Sequence, residues 1–106
     1  MRWLEACTSN DIELGDVKQI SIGGELIAVY HIDDGFFATQ DTCTHAVASL
    51  ADGYVDGDFI ECPLHAAKFC IKSGAARSSP ASVALATYPV KIEENKILIG
   101  FDEIEG

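Results

Sequence analysis

The sequence predicts an all-β protein, a small antiparallel sandwich or barrel. Three observations predict it: short runs rich in β-branched and aromatic residues, Gly, Asp and Asn turns between them, and no segment with sustained helical periodicity. At 106 residues the chain makes a single domain, residues 1–106, with no repeat, low-complexity stretch or linker.

The elements follow in order. Val17–Ile22 and Leu26–Ile32 flank Gly23-Gly24, a pair that suits the tight turn of a two-residue hairpin. Asp33-Asp34-Gly35 then turns the chain into Phe36–Thr39, and Asp56-Gly57-Asp58 turns it into Phe59–Glu61. Near the end, Tyr88–Ile92 and Lys96–Phe101 flank Glu93-Glu94-Asn95 as a further hairpin. Alternation puts Val90 and Ile92 on one face of that hairpin, matched by Ile97, Ile99 and Phe101 on the return strand. Ala46–Leu50 has room for one helical turn. Trp3, Phe36 and Phe37 read as core.

Charge divides the chain. Residues 1–41 and 81–106 carry 13 acidic and 4 basic side chains, against 4 and 3 in residues 42–80. The middle also holds three of the four cysteines and two of the three histidines. The sequence therefore reads as a basal β-layer, 1–41 and 81–106, carrying a nearly neutral functional insert, 42–80. The net charge of −10 speaks against nucleic acid, whose phosphates need clustered Lys and Arg, and against anionic membrane surfaces. It suits partners met through complementary fields. No apolar run approaches the roughly 18 residues of a membrane span, and the N-terminal residues lack the pattern of a secretory signal. The expected location is cytoplasmic, where four cysteines read as metal ligands and thiols rather than as two disulfides.

The chemistry is concentrated in two boxes, Cys43-Thr44-His45 and Cys62-Pro63-Leu64-His65, spaced C-x-H-x16-C-x2-H. Each box supplies one thiolate and one imidazole, and the intervening residues contain a hairpin of their own that would bring the two tips together. Two irons bridged by two sulfides need four terminal ligands, and two such tips supply them. A structural zinc accepts the same ligand types, although the interleaved order Cys, His, Cys, His is unusual for zinc knuckles.

From Trp3-Leu4-Glu5-Ala6, through the two boxes with Asp52-Gly53 and Phe69, to Thr87-Tyr88-Pro89-Val90-Lys91-Ile92, the chain resembles the Rieske-type ferredoxins of bacterial ring-hydroxylating oxygenase systems. The resemblance implies the Rieske-type iron–sulfur fold and one [2Fe–2S] cluster per chain, with Cys43 and Cys62 on the inner iron and His45 and His65 on the outer. It implies a third covering loop at Ser78-Ser79-Pro80-Ala81. It also implies a one-electron carrier that takes electrons from an NAD(P)H-dependent flavoprotein reductase and passes them to a terminal oxygenase, with exposed edges of His45 and His65 as the exit. Small residues (Ala46, Ala66, Ala67 and Pro80) would permit close docking. The nearest rival keeps the cluster but makes the chain the Rieske-like small subunit of a nitrite reductase. A rival of another class is a zinc-bound interaction module without redox function.

Histidine ligation makes the diferric unit formally neutral, where four thiolates would leave two negative charges, so it eases reduction. Respiratory Rieske proteins add a disulfide across the cluster and hydroxyl donors to its sulfurs. Ala48 and Leu64 stand at the disulfide positions and Ala67 and Phe69 at the hydroxyl positions, so the expected potential lies low in the Rieske range, at roughly −150 mV. Two residues depart from the ferredoxin pattern, Ala66 for a common Gly and Cys70 for a common acid.

No Ser-His-Asp set, phosphate loop or dinucleotide fingerprint is present. Outside the boxes only His31 remains, too few histidines for a mononuclear iron triad, so the chain is expected to be no enzyme and to take no small-molecule substrate of its own. His31 reads as a strand histidine with a satisfied ring, and Cys7 and Cys70 as small buried thiols.

Overall fold

The computed structural model describes residues 2–44, 48–64, 67–77 and 83–101. Among them are ten strands: β1 (Arg2–Thr8), β2 (Asp16–Ile22), β3 (Glu25–Ile32), β4 (Gly35–Gln40), β5 (Tyr54–Asp56), β6 (Phe59–Glu61), β7 (Lys68–Cys70), β8 (Thr87–Tyr88), β9 (Val90–Glu93) and β10 (Lys96–Phe101). Two single 3-10 turns, Ser9–Asp11 and Leu50–Asp52, are the helical elements of the described residues. No helix is long and apolar enough to cross a membrane.

The strands form three antiparallel sheets, ordered β1-β10-β9, β2-β3-β4-β8 and β5-β6-β7. The second sheet lies between two cores, and β3 shows why. Its Ile27 and Val29 join Cys7, Ile12, Ala38, Ile97 and Ile99 against the first sheet. Its alternate residues Ala28, Tyr30 and Ile32 join Cys43, Leu50, Ile60, Cys62, Ala67, Phe69, Ile71 and Leu85 on the other side. Period-two alternation that is apolar on both faces makes this strand the middle layer. Each large aliphatic or aromatic side chain buried there contributes about 1.5–3 kcal/mol relative to exposure.

The turns obey the residues that form them. Gly23 and Gly24 both take positive φ, +61° and +82°, as the two-residue hairpin requires. Glu94 and Asn95 do the same at the β9–β10 turn, at +51° and +69°. Three sequence expectations are corrected. The run Tyr88–Ile92 is two strands in different sheets, because Pro89 has no N–H with which to continue a ladder. Ile92 pairs with Ile97 yet is 45% exposed, since β9 is an edge strand near its turn. Trp3 is half-buried on β1, its ring capped by Lys91 Nζ 4.5 Å from the centroid; Phe36 and Phe37 are likewise half-buried beside their cores.

Candidate metal centre

Both boxes begin at the tip of an antiparallel stem, and the same backbone bond closes each tip. In the first, Leu50 N–H donates to Asp41 C=O at 2.8 Å, Thr42 bridges Ser49, and Cys43 N–H donates to Ala48 C=O at 3.0 Å. In the second, the β6–β7 ladder pairs Ile60 with Phe69 and Glu61 with Lys68, and Cys62 N–H donates to Ala67 C=O at 2.7 Å. Each cysteine therefore opens a reversal that closes five residues later. The hairpin between the boxes is β5–β6, turning at Gly57 with φ +59°.

The exit of the first tip passes directly against the second stem. A Cβ at Gly53 would lie 2.2 Å from the Glu61 carbonyl oxygen, so only glycine lets these segments approach. A third segment closes over them: Leu85 N–H donates to Gly74 C=O at 2.8 Å, and Thr44 Oγ1 donates to Val83 C=O at 2.7 Å. Gln40 anchors the same segment, its Oε1 accepting Ala86 N–H at 2.8 Å while its Nε2 donates to Thr42 C=O at 2.7 Å.

This convergence brings the Cys43 and Cys62 thiols together, both buried, at 4% and 1% exposure, and neither in a disulfide. Burial pushes the Cys62 thiol up; the Leu64 N–H opposes it, and the adjacent Cys43 side chain pushes the same way as burial. Bringing two sulfurs into one apolar pocket therefore works against having both as bare thiolates, and a cation taking the place of their protons resolves that conflict. The donor set thus fits an iron–sulfur unit on its thiolate side. His45 and His65 lie outside the described residues, as do Ala46, Ala66 and Ser78-Ser79-Pro80-Ala81. Among the described residues no group of three or more His, Cys, Asp or Glu gathers elsewhere as a rival metal site.

Ala67 and Phe69 are fully buried beside the paired thiols and carry no hydroxyl. Ala67 therefore belongs to the core and not to a docking rim, as its small size alone had suggested. Among the described residues of the box and covering segments, Leu64, at 45%, and Val83, at 60%, are exposed large apolar side chains. Ala48 and Leu64, at the positions where a covering disulfide would stand, close none.

The remaining candidates separate. His31 Nδ1 lies 2.9 Å from Ile12 C=O and its ring stacks on Phe36 at 4.1 Å, a satisfied strand histidine. Cys7 is buried, and burial raises its pKa. Cys70 is only half-buried, and its pKa is lowered, chiefly by a hydrogen bond from the Ser73 side chain, which corrects its reading as a buried thiol. Asp41, 1% exposed, went unnoticed in the sequence because an acid just before a box looks like any turn residue.

Two stems presenting paired, buried thiols on a three-sheet β framework make a site suited to a metal or iron–sulfur unit held by cysteines from separate loops. The sequence profile of the Rieske [2Fe-2S] domain matches residues 2–89, and the chain belongs to that family. It is 40% identical over 98 residues to the ferredoxin CarAc of Metapseudomonas resinovorans, covering 92% of each chain. It is also 40% identical over 102 residues to the biphenyl dioxygenase ferredoxin subunit of a Pseudomonas species, covering 95% of this chain and 94% of that one. Among solved structures, the complex of reduced oxygenase and oxidized ferredoxin in carbazole 1,9a-dioxygenase aligns with TM-score 0.87 at 39% identity, over 97% of each chain. A nitrite reductase small subunit from Mycobacterium tuberculosis reaches TM-score 0.86 at 20% identity, a likeness of fold alone. The chain carries one [2Fe–2S] cluster, and it is a ferredoxin-type electron carrier, not an oxygenase.

Proposed function

We propose that this chain is the cytoplasmic one-electron carrier between a flavoprotein reductase and a terminal aromatic-ring-hydroxylating oxygenase, with Cys43, His45, Cys62 and His65 as its four cluster ligands. Cys43 and Cys62 would hold one iron of the cluster, and His45 and His65 the other. Residues 42–80 act as the cluster-bearing insert on a base formed by 1–41 and 81–106. The observation that carries the ligand assignment is the meeting of two buried thiols, one from each Cys/His box, in one apolar pocket. The partner assignment rests on the dioxygenase ferredoxins that the chain resembles over nearly its whole length.

When bound, the cluster supplies reversible uptake of one electron. The chain's residues set the conditions. Cys43 and Cys62 anchor the unit on its buried side, and Phe69 and Ala67 withhold hydroxyl donors, which favours a low potential, roughly −150 mV. Leu64 and Val83 offer an uncharged contact surface suited to the small, transient interfaces of electron transfer. Elsewhere the acidic surface steers approach.

Reconstitution tests this. An NADH-dependent flavoprotein reductase and a ring-hydroxylating oxygenase should turn over only when this protein is added. Support of nitrite reduction in place of ring hydroxylation would overturn the partner assignment.

A further inference from the structure

We propose that Asp41 is a positioning residue that fixes the Cys43 loop, its buried side chain taking the place of a β-ladder that this loop lacks. The inference rests on Cys43 being a cluster ligand. The second loop needs no such device, because three ladder pairs run up to Cys62. The stem below Cys43 has one bridge, Thr42 with Ser49. What fixes it is Asp41. Its N–H donates to Leu26 C=O at 3.1 Å and its C=O accepts Leu50 N–H at 2.8 Å, so its backbone joins β3 to the returning arm of the loop.

The side chain completes the frame. Oδ1 accepts Ala51 N–H at 3.1 Å, in the 3-10 turn where the loop returns. Oδ2 accepts from Gln19 Nε2 at 2.6 Å, which reaches over from β2. The same Gln19 nitrogen lies 3.2 Å from Ser49 Oγ. One carboxylate, 1% exposed, thus ties together β2, the outgoing arm and the returning arm. A buried carboxyl is retained only where its oxygens are hydrogen-bonded, and here each oxygen has a partner. Removing it orphans the Ala51 N–H in the returning arm and frees Gln19, loosening the frame two residues from a ligand.

The test compares holoprotein variants by the rate of iron loss to a chelator well below the unfolding temperature, by reduction potential, and by the electron paramagnetic resonance spectrum. Asp41→Ala should lose iron about tenfold faster than the parent protein, with a shifted potential and a broadened spectrum. Asp41→Asn should restore the parent rate and linewidth to within about twofold, because its Oδ1 still accepts Ala51 N–H and a turned Gln19 amide can accept from its Nδ2. Ile97→Val, in the opposite core, should lower stability without altering the spectrum. If Asp41→Ala does not fold, Gln19→Ala decides, with about threefold faster loss expected from removal of one of the two side-chain partners. Parent-like iron loss, potential and spectrum in Asp41→Ala, or in Gln19→Ala where that variant decides, would overturn the inference, as would failure of Asp41→Asn to rescue. A parent protein with no Rieske-type spectrum would instead overturn the ligand assignment on which it rests.

Discussion

The two cysteine-bearing loops reach the same end by different routes. The Cys62 loop is the tip of a regular ladder, β6–β7, whose inward residues Ile60 and Phe69 are fully buried. The Cys43 loop leaves the end of β4 and stands on polar ground: Asp41 and Gln19 below it, Thr39 and Tyr30 behind it, and Thr44 tying it to the covering segment. Closure is identical in both, a bond from the cysteine N–H to the carbonyl five residues on. The apolar stem gains from burial without directional demands, while the polar stem depends on particular partners. The second loop is therefore built to tolerate conservative changes and the first is built to respond to them.

The strongest way to break this contrast is to act where the loops touch. Gly53→Ala places a methyl group 2.2 Å from the Glu61 carbonyl oxygen, against backbone that cannot swing away. Destabilisation of about 3 kcal/mol or more is expected, with loss of bound iron, read by denaturant unfolding and iron analysis. Parent-like stability would mean that the first loop is not pressed against the second stem.

A smaller effect separates polar from apolar footing by pH. Burial holds the Tyr30 hydroxyl well above its ordinary pKa, and the nearby Asp41 charge adds to this, while the hydrogen bond with Thr39 Oγ1 at 2.8 Å works the other way. The folded state therefore keeps a proton that the unfolded chain releases near pH 10. Tyr30's contribution is full below that pH and is lost as pH rises beyond it. Tyr30→Phe should cost about 1 kcal/mol at neutral pH and flatten the fall in stability between pH 9 and 11, measured by urea unfolding, relative to the parent. An unchanged slope would contradict the buried, protonated tyrosine.

The smallest expected effect falls on the covering segment. Thr44→Val keeps the shape of the side chain and removes its bond to Val83 C=O. Stability should fall by about 0.5 kcal/mol, while amide exchange in residues 83–86 quickens; exchange at the parent rate would show that the tie holds nothing.

How much of this was legible in the sequence follows the same divide. The Gly23-Gly24 and Glu94-Asn95 turns, the strands beside them and the two boxes are local patterns, and the structure has the strands where those patterns place them except where Pro89 splits Tyr88–Ile92. Strand β1 was not legible. Its partner β10 lies at the far end of the chain, and a register shift between Glu5 and Cys7 spoils its alternation. The three-residue strands β5 and β7 are too short to show a period, and they exist because β6 pairs with both. At the site, the chemistry of the ligand candidates identifies them at fixed spacing, whereas Asp41, Gln19 and Thr44 act through tertiary bonds that no local pattern encodes.

The central claim is that two Cys/His loops hold one [2Fe–2S] cluster with mixed ligation. The electron paramagnetic resonance spectrum of the dithionite-reduced protein, taken with iron and labile-sulfide content, tests it most directly. Two irons and two sulfides per chain and a Rieske-type signal, lost on replacing either His45 or His65, are expected. A colourless zinc protein, or the signal of a cluster held by four cysteines, would contradict it.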